Sequence, residues 1–210
     1  MPALPLLAVL AVLSLACTVE AGPRERVVGG RCEDCADVFV DRPRRPGWEA
    51  RIAPVVEPGE PMVLEGVVRD AAGAPAAGII VYAYHTDARG QYPPNPRARH
   101  GRLRGFARTD DHGRYRFHTI RPARYPGSRA PQHVHMHVIE PGRCIYWIDE
   151  VMFTDDPYLP SPGQRGTLAL GRGGPAVATP ERPDPAGAWL VRRDITLGAG
   201  IDDHHRCRRR

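Results

Sequence analysis

The sequence predicts an all-β protein, a β-sandwich of about seven or more short strands with little helix. Short apolar runs recur at regular spacing between residues 58 and 200, and each ends at a turn rich in Gly, Pro or Asp. Proline is frequent, with 23 among 210 residues, and no segment keeps a helical period long enough for an extended helix. Both observations favour strands over helices.

The candidate strands follow one another along the chain, and turn residues separate them. The predicted strands are 62–69, 79–85, 104–109, 114–120, 132–140, 144–153 and 189–197. The turns that end the first six are 70–73, 86–90, 110–113, Pro122, 141–142 and 155–157. Together the strands form one domain over 58–200, which is long enough to bury a hydrophobic core. Its flanks differ in composition, with an irregular lead-in rich in Pro and Arg at 22–57 and a basic tail at 201–210.

The first 21 residues predict export. They are apolar from Leu4 to Ala16 and carry no charged side chain before Glu20. This run is short for a membrane span but has the length of a signal-peptide core. Ordinary cleavage after Ala21 and a bacterial lipoprotein site at Cys17 both remain open, so we expect a periplasmic or secreted protein whose only membrane link would be a lipid on Cys17.

Charge and cysteines narrow the function classes. The net charge is +5, and all 29 basic residues are Arg. They are scattered through turns instead of alternating with aromatic residues, so we expect no nucleic-acid partner. Cys32 and Cys35 form a CxxC, which without a second pair is a weak zinc signal and in an oxidising compartment could close a local disulfide. The sequence leaves open the states of Cys144 and Cys207 and the oligomeric state.

The clearest chemical pattern is His133-Val134-His135-Met136-His137. Side chains alternate along a strand, so the three imidazoles share one face while the apolar residues between them face the core. A rise of about 3.3 Å per residue places alternate imidazoles about 7 Å apart at the backbone, and two of them can converge on one ion. A polar solvent face is the alternative, but the flanking apolar runs favour a metal site.

Tyr92 and Tyr125 offer further ligands, because each lies in a turn directly before a proline. Three histidines alone would favour zinc or copper, and two histidines with a carboxylate would favour Fe(II). Phenolates are hard anionic donors, so two of them beside two imidazoles favour Fe(III).

The order of these residues resembles the intradiol ring-cleavage dioxygenases, the catechol and protocatechuate 3,4-dioxygenase superfamily. The matching motifs are Gly59-Glu60-Pro61, GVVRDAAGAPAAGIIVYAYHTDARGQY (66–92), RLRGFARTDDHGRYRFHTIRPARYP (102–126), PQHVH (131–135) and FTDDP (153–157). The resemblance implies Fe(III) as cofactor, held by Tyr92, Tyr125, His133 and His135, with His137 as a neighbour. It also implies that Tyr125 is catalytic, leaving the metal to accept a proton from a catechol-type substrate that O2 then cleaves to a muconate-type diacid.

Two positions depart from the family pattern. Ala130 stands where the family has an active-site arginine, with Arg129 one place earlier, and Glu150 stands where the family has a glutamine.

Two alternatives to an iron dioxygenase remain open. The opening of the domain also resembles transthyretin-like and carboxypeptidase-regulatory modules, which would make the chain a non-catalytic binding module, and the three histidines alone could hold zinc or copper.

Overall fold

The structure is a computed structural model that describes residues 25–32, 35–164, 170–183 and 187–207. The predicted signal peptide and Cys17 lie outside these residues. The described part contains eleven strands and a few short 3-10 turns. The strands are β1 (Arg26–Val27), β2 (Glu49–Arg51), β3 (Pro61–Arg69), β4 (Ile80–Tyr84), β5 (Arg104–Arg108), β6 (Arg114–Ile120), β7 (His133–Glu140), β8 (Cys144–Phe153), β9 (Val177–Ala178), β10 (Trp189–Arg192) and β11 (Ile195–Thr196). Among the described helices, none has the length and apolar character needed to cross a bilayer.

These strands form two mixed sheets. The first has the order β1-β8-β7-β4-β5 with β9 beside β8, and the second has the order β10-β3-β6-β2 with β11 beside β3. The long central neighbours are antiparallel, whereas the short strands β1, β2, β9, β10 and β11 pair in parallel at the edges. The mostly-β prediction is confirmed, and the arrangement is sandwich-like without being closed.

The main core lies between the two sheets. Leu64 of β3 and Phe117 of β6 are paired in register and fully buried there. Val134, Met136 and Val138 of β7 belong to the same core, as alternation along the strand predicts. The histidines of β7 therefore lie on the opposite face of the first sheet.

The lead-in packs onto both sheets. β1 pairs with β8 and β2 pairs with β6. A 3-10 turn at Cys35–Phe39 buries Val38 in a second apolar cluster on the outer face of the first sheet, together with Ile80, Tyr82, Tyr84, Phe106, Ile139 and Ile145. The local disulfide between Cys32 and Cys35 is present.

The described part of the basic tail packs against the rest of the protein. Within the described residues 201–207, Ile201 and Cys207 are buried, and a disulfide joins Cys207 to Cys144 at the start of β8. The Nε2 atom of His204 also contacts the buried carboxylate of Glu140 at 2.6 Å. These contacts offset the cost of burying a polar segment, so it docks on the sheet.

Candidate metal centre

Four side chains meet at the start of β7. Tyr92 comes from the loop between β4 and β5, Tyr125 from the turn before β7, and His133 and His135 from β7 itself. The hydroxyl oxygens of the two tyrosines are 2.6 Å apart. The Tyr125 oxygen is 3.1 Å from the Nε2 atom of each histidine, and the two Nε2 atoms are 3.1 Å apart. The structure thus brings together all four residues that the sequence singled out.

Hydrogen bonds on the far side of each imidazole fix where its proton lies. His133 Nδ1 is 2.7 Å from the carbonyl oxygen of Pro131, and His135 Nδ1 is 2.8 Å from Glu150 Oε1. Both partners only accept hydrogen bonds, so we assign the proton to Nδ1 in each ring. Both Nε2 atoms then present lone pairs towards the tyrosines.

This arrangement fits a cation. Two nitrogen lone pairs facing each other at 3.1 Å repel unless a positive charge lies between them. Ligand atoms that bind one ion at about 2.0–2.1 Å lie roughly 3 Å apart, which is the spacing of the two Nε2 atoms and the Tyr125 oxygen. Two phenols and two imidazoles therefore form a candidate metal centre.

Glu150 belongs to the surroundings of this centre. A carboxylate with the two histidines would make a donor set typical of Fe(II). Glu150 hydrogen-bonds the Nδ1 side of His135, however, and so lies across the ring from the Nε2 atom that faces the tyrosines. Burial raises the pKa of the Glu150 carboxyl, but the hydrogen bond from His135 and the charge interactions with His135 and His133 together outweigh burial and lower the pKa overall. Glu150 therefore stays ionised and orients His135.

Burial shapes the proton affinities of the donors. It lowers the pKa of His133, so this imidazole stays neutral and able to bind a metal. Burial and the hydrogen bond with Tyr125 raise the pKa of Tyr92 far above its usual value. The Tyr92 phenol therefore releases its proton only when a nearby positive charge stabilises the phenolate.

Tyr84 and His100 hold the ring of His135 and were missed by the sequence analysis. Tyr84 stacks on His135 with ring centroids 4.5 Å apart, and His100 stacks on the other face of Tyr84 at 3.8 Å. Tyr84 pairs with His135 in the register of β4 and β7. Its position at the end of a strand rich in aromatic residues was the available signal, but the register that joins it to His135 is not visible in the sequence.

The remaining predicted positions lie around the centre. His137 points away from the tyrosines, and its Nε2 atom is 3.4 Å from the Sγ atom of Cys32. Burial lowers the pKa of His137 to about 3. Ala130 contributes no charge, and Arg129 is exposed on the surface. A groove of about 410 Å³ opens beside Tyr92, with walls that include Pro58, Pro93 and Pro94.

Fold and donor set together define a mostly-β protein with a candidate metal centre of two phenols and two imidazoles. Residues 36–168 match the family model described as dioxygenase. The chain belongs to the intradiol dioxygenase family.

Curated relatives have matching names. The chain is 30% identical over 124 residues to a chlorocatechol 1,2-dioxygenase of Rhodococcus opacus, covering 50% of this chain and 48% of the relative. It is also 30% identical over 112 residues to a protocatechuate 3,4-dioxygenase beta chain of Burkholderia cepacia, covering 48% of each. The chain therefore spans about half the length of the curated relatives it matches.

Solved structures share the fold. One is the dioxygenase domain of a dioxygenase and carbohydrate-binding protein fusion from Streptomyces sp. SirexAA-E, with a TM-score of 0.57 and 22% identity, covering 84% of this chain and 97% of that one. Another is catechol 1,2-dioxygenase from Acinetobacter sp. ADP1, with a TM-score of 0.56 and 22% identity, covering 75% of this chain and 60% of that one. At this identity the likeness describes the fold alone.

Proposed function

We propose that this chain is an Fe(III)-dependent intradiol dioxygenase that uses O2 to cleave a catechol-type ring to a muconate-type diacid. The observation that carries the proposal is the pair of Nε2 atoms of His133 and His135, to which we assign no proton and which lie 3.1 Å apart, close to the phenol oxygen of Tyr125. Membership of the intradiol family and the names of its relatives support the reaction class.

The donor chemistry supports iron in its oxidised form. Tyr92 and Tyr125 would supply two hard anionic oxygens, and His133 and His135 would supply two neutral nitrogens, a set that matches Fe(III) better than a soft ion. When bound, Fe(III) supplies the positive charge that makes a catechol dianion accessible near neutral pH and the ring reactive towards O2.

Tyr125 is the better placed of the two tyrosines to move a proton. It is half-buried and lies in a turn whose next residues, Pro126 and Gly127, are exposed. Its hydroxyl oxygen also lies 3.1 Å from the Nε2 atoms of both histidines. The phenol of tyrosine ordinarily has a pKa near 10. Its phenolate oxygen is therefore a competent base for the hydroxyl proton of a catechol.

The groove beside Tyr92 offers a place for an aromatic ring. Proline side chains supply apolar walls, and the ion pair between Arg102 and Glu57, with nitrogen–oxygen distances of 2.6 and 2.9 Å, lines it together with Asp87 and Arg89. Its volume of about 410 Å³ lies in the range of small-molecule sites.

A visible spectrum with and without catechol tests the proposed function. The purified iron-loaded protein should be red-brown, because charge transfer from phenolate to ferric iron absorbs visible light. Added catechol should shift the band to longer wavelength, and an oxygen electrode should record O2 uptake with formation of a diacid. A colourless iron-loaded protein, or one that holds stoichiometric zinc or copper and shows no phenolate band, would contradict the proposal.

Glu150→Ala tests the hydrogen bond that Glu150 accepts from His135. Loss of an outer-shell partner of a metal ligand typically costs about 10- to 100-fold in metal affinity. We therefore expect a loss of this size in iron affinity, measured by competition with a chelator, and a shifted charge-transfer band. Glu49→Ala is the matched control, because Glu49 forms a similar pair with His118 on the surface of the other sheet. Equal iron affinity in the two variants would contradict the role of Glu150 in orienting His135.

A further inference from the structure

A second group of metal-ligand side chains lies beside the four-donor centre. Cys32, Cys35 and His137 place two sulfur atoms and one imidazole nitrogen within 4.8 Å of one another. The two cysteines form a disulfide, and the Nε2 atom of His137 is 3.4 Å from the Sγ atom of Cys32. The proposed ligand set of the catalytic centre uses none of these three residues.

The burial of His137 has no compensating hydrogen bond within the described residues. Its side chain is 3% exposed, and its Nδ1 atom has no hydrogen-bond partner there. A disulfide sulfur is a weak acceptor for its Nε2 atom. Burying a polar group without a good partner is costly, and such a group in a folded protein calls for an explanation. An ion bound between His137 and the two cysteines would give the Nε2 atom, which faces Cys32, a much stronger partner than the disulfide sulfur.

The Cys32–Cys35 disulfide also stabilises the fold less than the Cys144–Cys207 disulfide does. Its cysteines are three positions apart, whereas 63 positions separate Cys144 from Cys207. The stabilisation by a disulfide grows with the length of the loop that it closes. A short CxxC pair next to a buried imidazole is therefore better suited to redox change and metal binding than to stabilising the fold.

We propose that Cys32, Cys35 and His137 form a redox-gated binding site for Cu(I), closed while the disulfide is intact. A dithiol reductant opens the site: it donates two electrons and two protons, the sulfur–sulfur bond breaks, and the reductant becomes a cyclic disulfide. Binding of the ion then releases the two thiol protons, leaving two thiolates and a neutral imidazole as ligands.

The donor set and the access route favour Cu(I). Thiolates select soft ions, and three donors fall short of the four that a closed zinc site takes. A cavity of about 240 Å³ adjoins the site, lined in part by Arg31, His137 and Trp147. It provides room for an ion to reach the side chain of His137 without displacing the core.

Copper titration of the full chain tests this site. The protein is reduced with dithiothreitol without denaturant, desalted under argon and titrated against the coloured Cu(I) complex of bathocuproine disulfonate. Alkylation and mass mapping identify the open pair; if Cys144 and Cys207 also open, the titration is repeated in the Cys144→Ala, Cys207→Ala variant. We expect one equivalent of Cu(I), and copper-edge X-ray absorption should show two sulfurs and one nitrogen. No uptake, or equal uptake by the oxidised protein, would overturn the proposal.

Two variants separate this site from a plain dithiol. His137→Gln keeps both thiols and should weaken Cu(I) binding at least tenfold, whereas His112→Gln on the exposed turn before β6 should leave it unchanged. Unchanged affinity in His137→Gln overturns the assignment of the imidazole. If circular dichroism shows that His137→Gln does not fold, Cys35→Ser tests the proposal instead, because it leaves β7 intact. This variant must lose tight Cu(I) binding for the proposal to stand.

Discussion

The Tyr92→Phe, Tyr125→Phe double variant is expected to be colourless when iron is added and to lose ring cleavage to below detection. The substitutions remove two oxygen atoms and leave both rings in place, so packing changes little. Without phenolates the centre keeps two neutral imidazoles, which bind ferric iron weakly because that ion prefers hard anionic donors. It also loses Tyr125, the base that we assign to the substrate proton.

Iron content by elemental analysis, the visible spectrum and O2 uptake with catechol measure the three losses separately. Tyr158→Phe is the matched control, because Tyr158 packs on the guanidinium of Arg124 near the same turn and takes no part in the donor set. It should keep the colour and the activity. A double variant that remains red-brown would show that other groups hold the iron, and the ligand assignment would then be wrong.

Local pattern was enough to predict most of the strands and the orientation of β7. The predicted strand at 144–153 has the same bounds as β8, and that at 114–120 the same bounds as β6. Alternation placed Val134 and Met136 in the core and His133 and His135 on the other face, and the structure confirms both placements. A period of two is a property of the strand alone, so one sequence suffices to detect it.

The contacts that complete the site depend on register and pairing between distant segments. Tyr84 reaches His135 only because β4 pairs with β7 at one particular register. Cys144 finds Cys207 across 63 positions, and a single sequence with five cysteines does not specify its pairs. These partners arise from the tertiary arrangement, so they had no local signature to detect.

Removal of the Cys144–Cys207 disulfide is expected to lower the free energy of unfolding by about 4 kcal/mol, because it cross-links a loop of more than sixty residues in the unfolded chain. Domains are commonly stable by only about 5–15 kcal/mol, so this loss is a large fraction of the total. The Cys144→Ala, Cys207→Ala variant and the parent chain can be compared by urea unfolding followed by fluorescence.

Cys32→Ala, Cys35→Ala is the matched control, because it also removes one disulfide. That disulfide closes a loop of only four residues, for which the same model gives about 2 kcal/mol. Arg143 donates to the Cys207 carbonyl oxygen at 2.8 Å, and His204 contacts Glu140. If removal of the disulfide also breaks these contacts, the difference between the two measured losses should exceed the difference that loop length alone gives. Equal losses in the two variants would mean that loop length does not govern the stabilisation. The contacts of His204 and Arg143 would then hold the C-terminal turn in place without the disulfide.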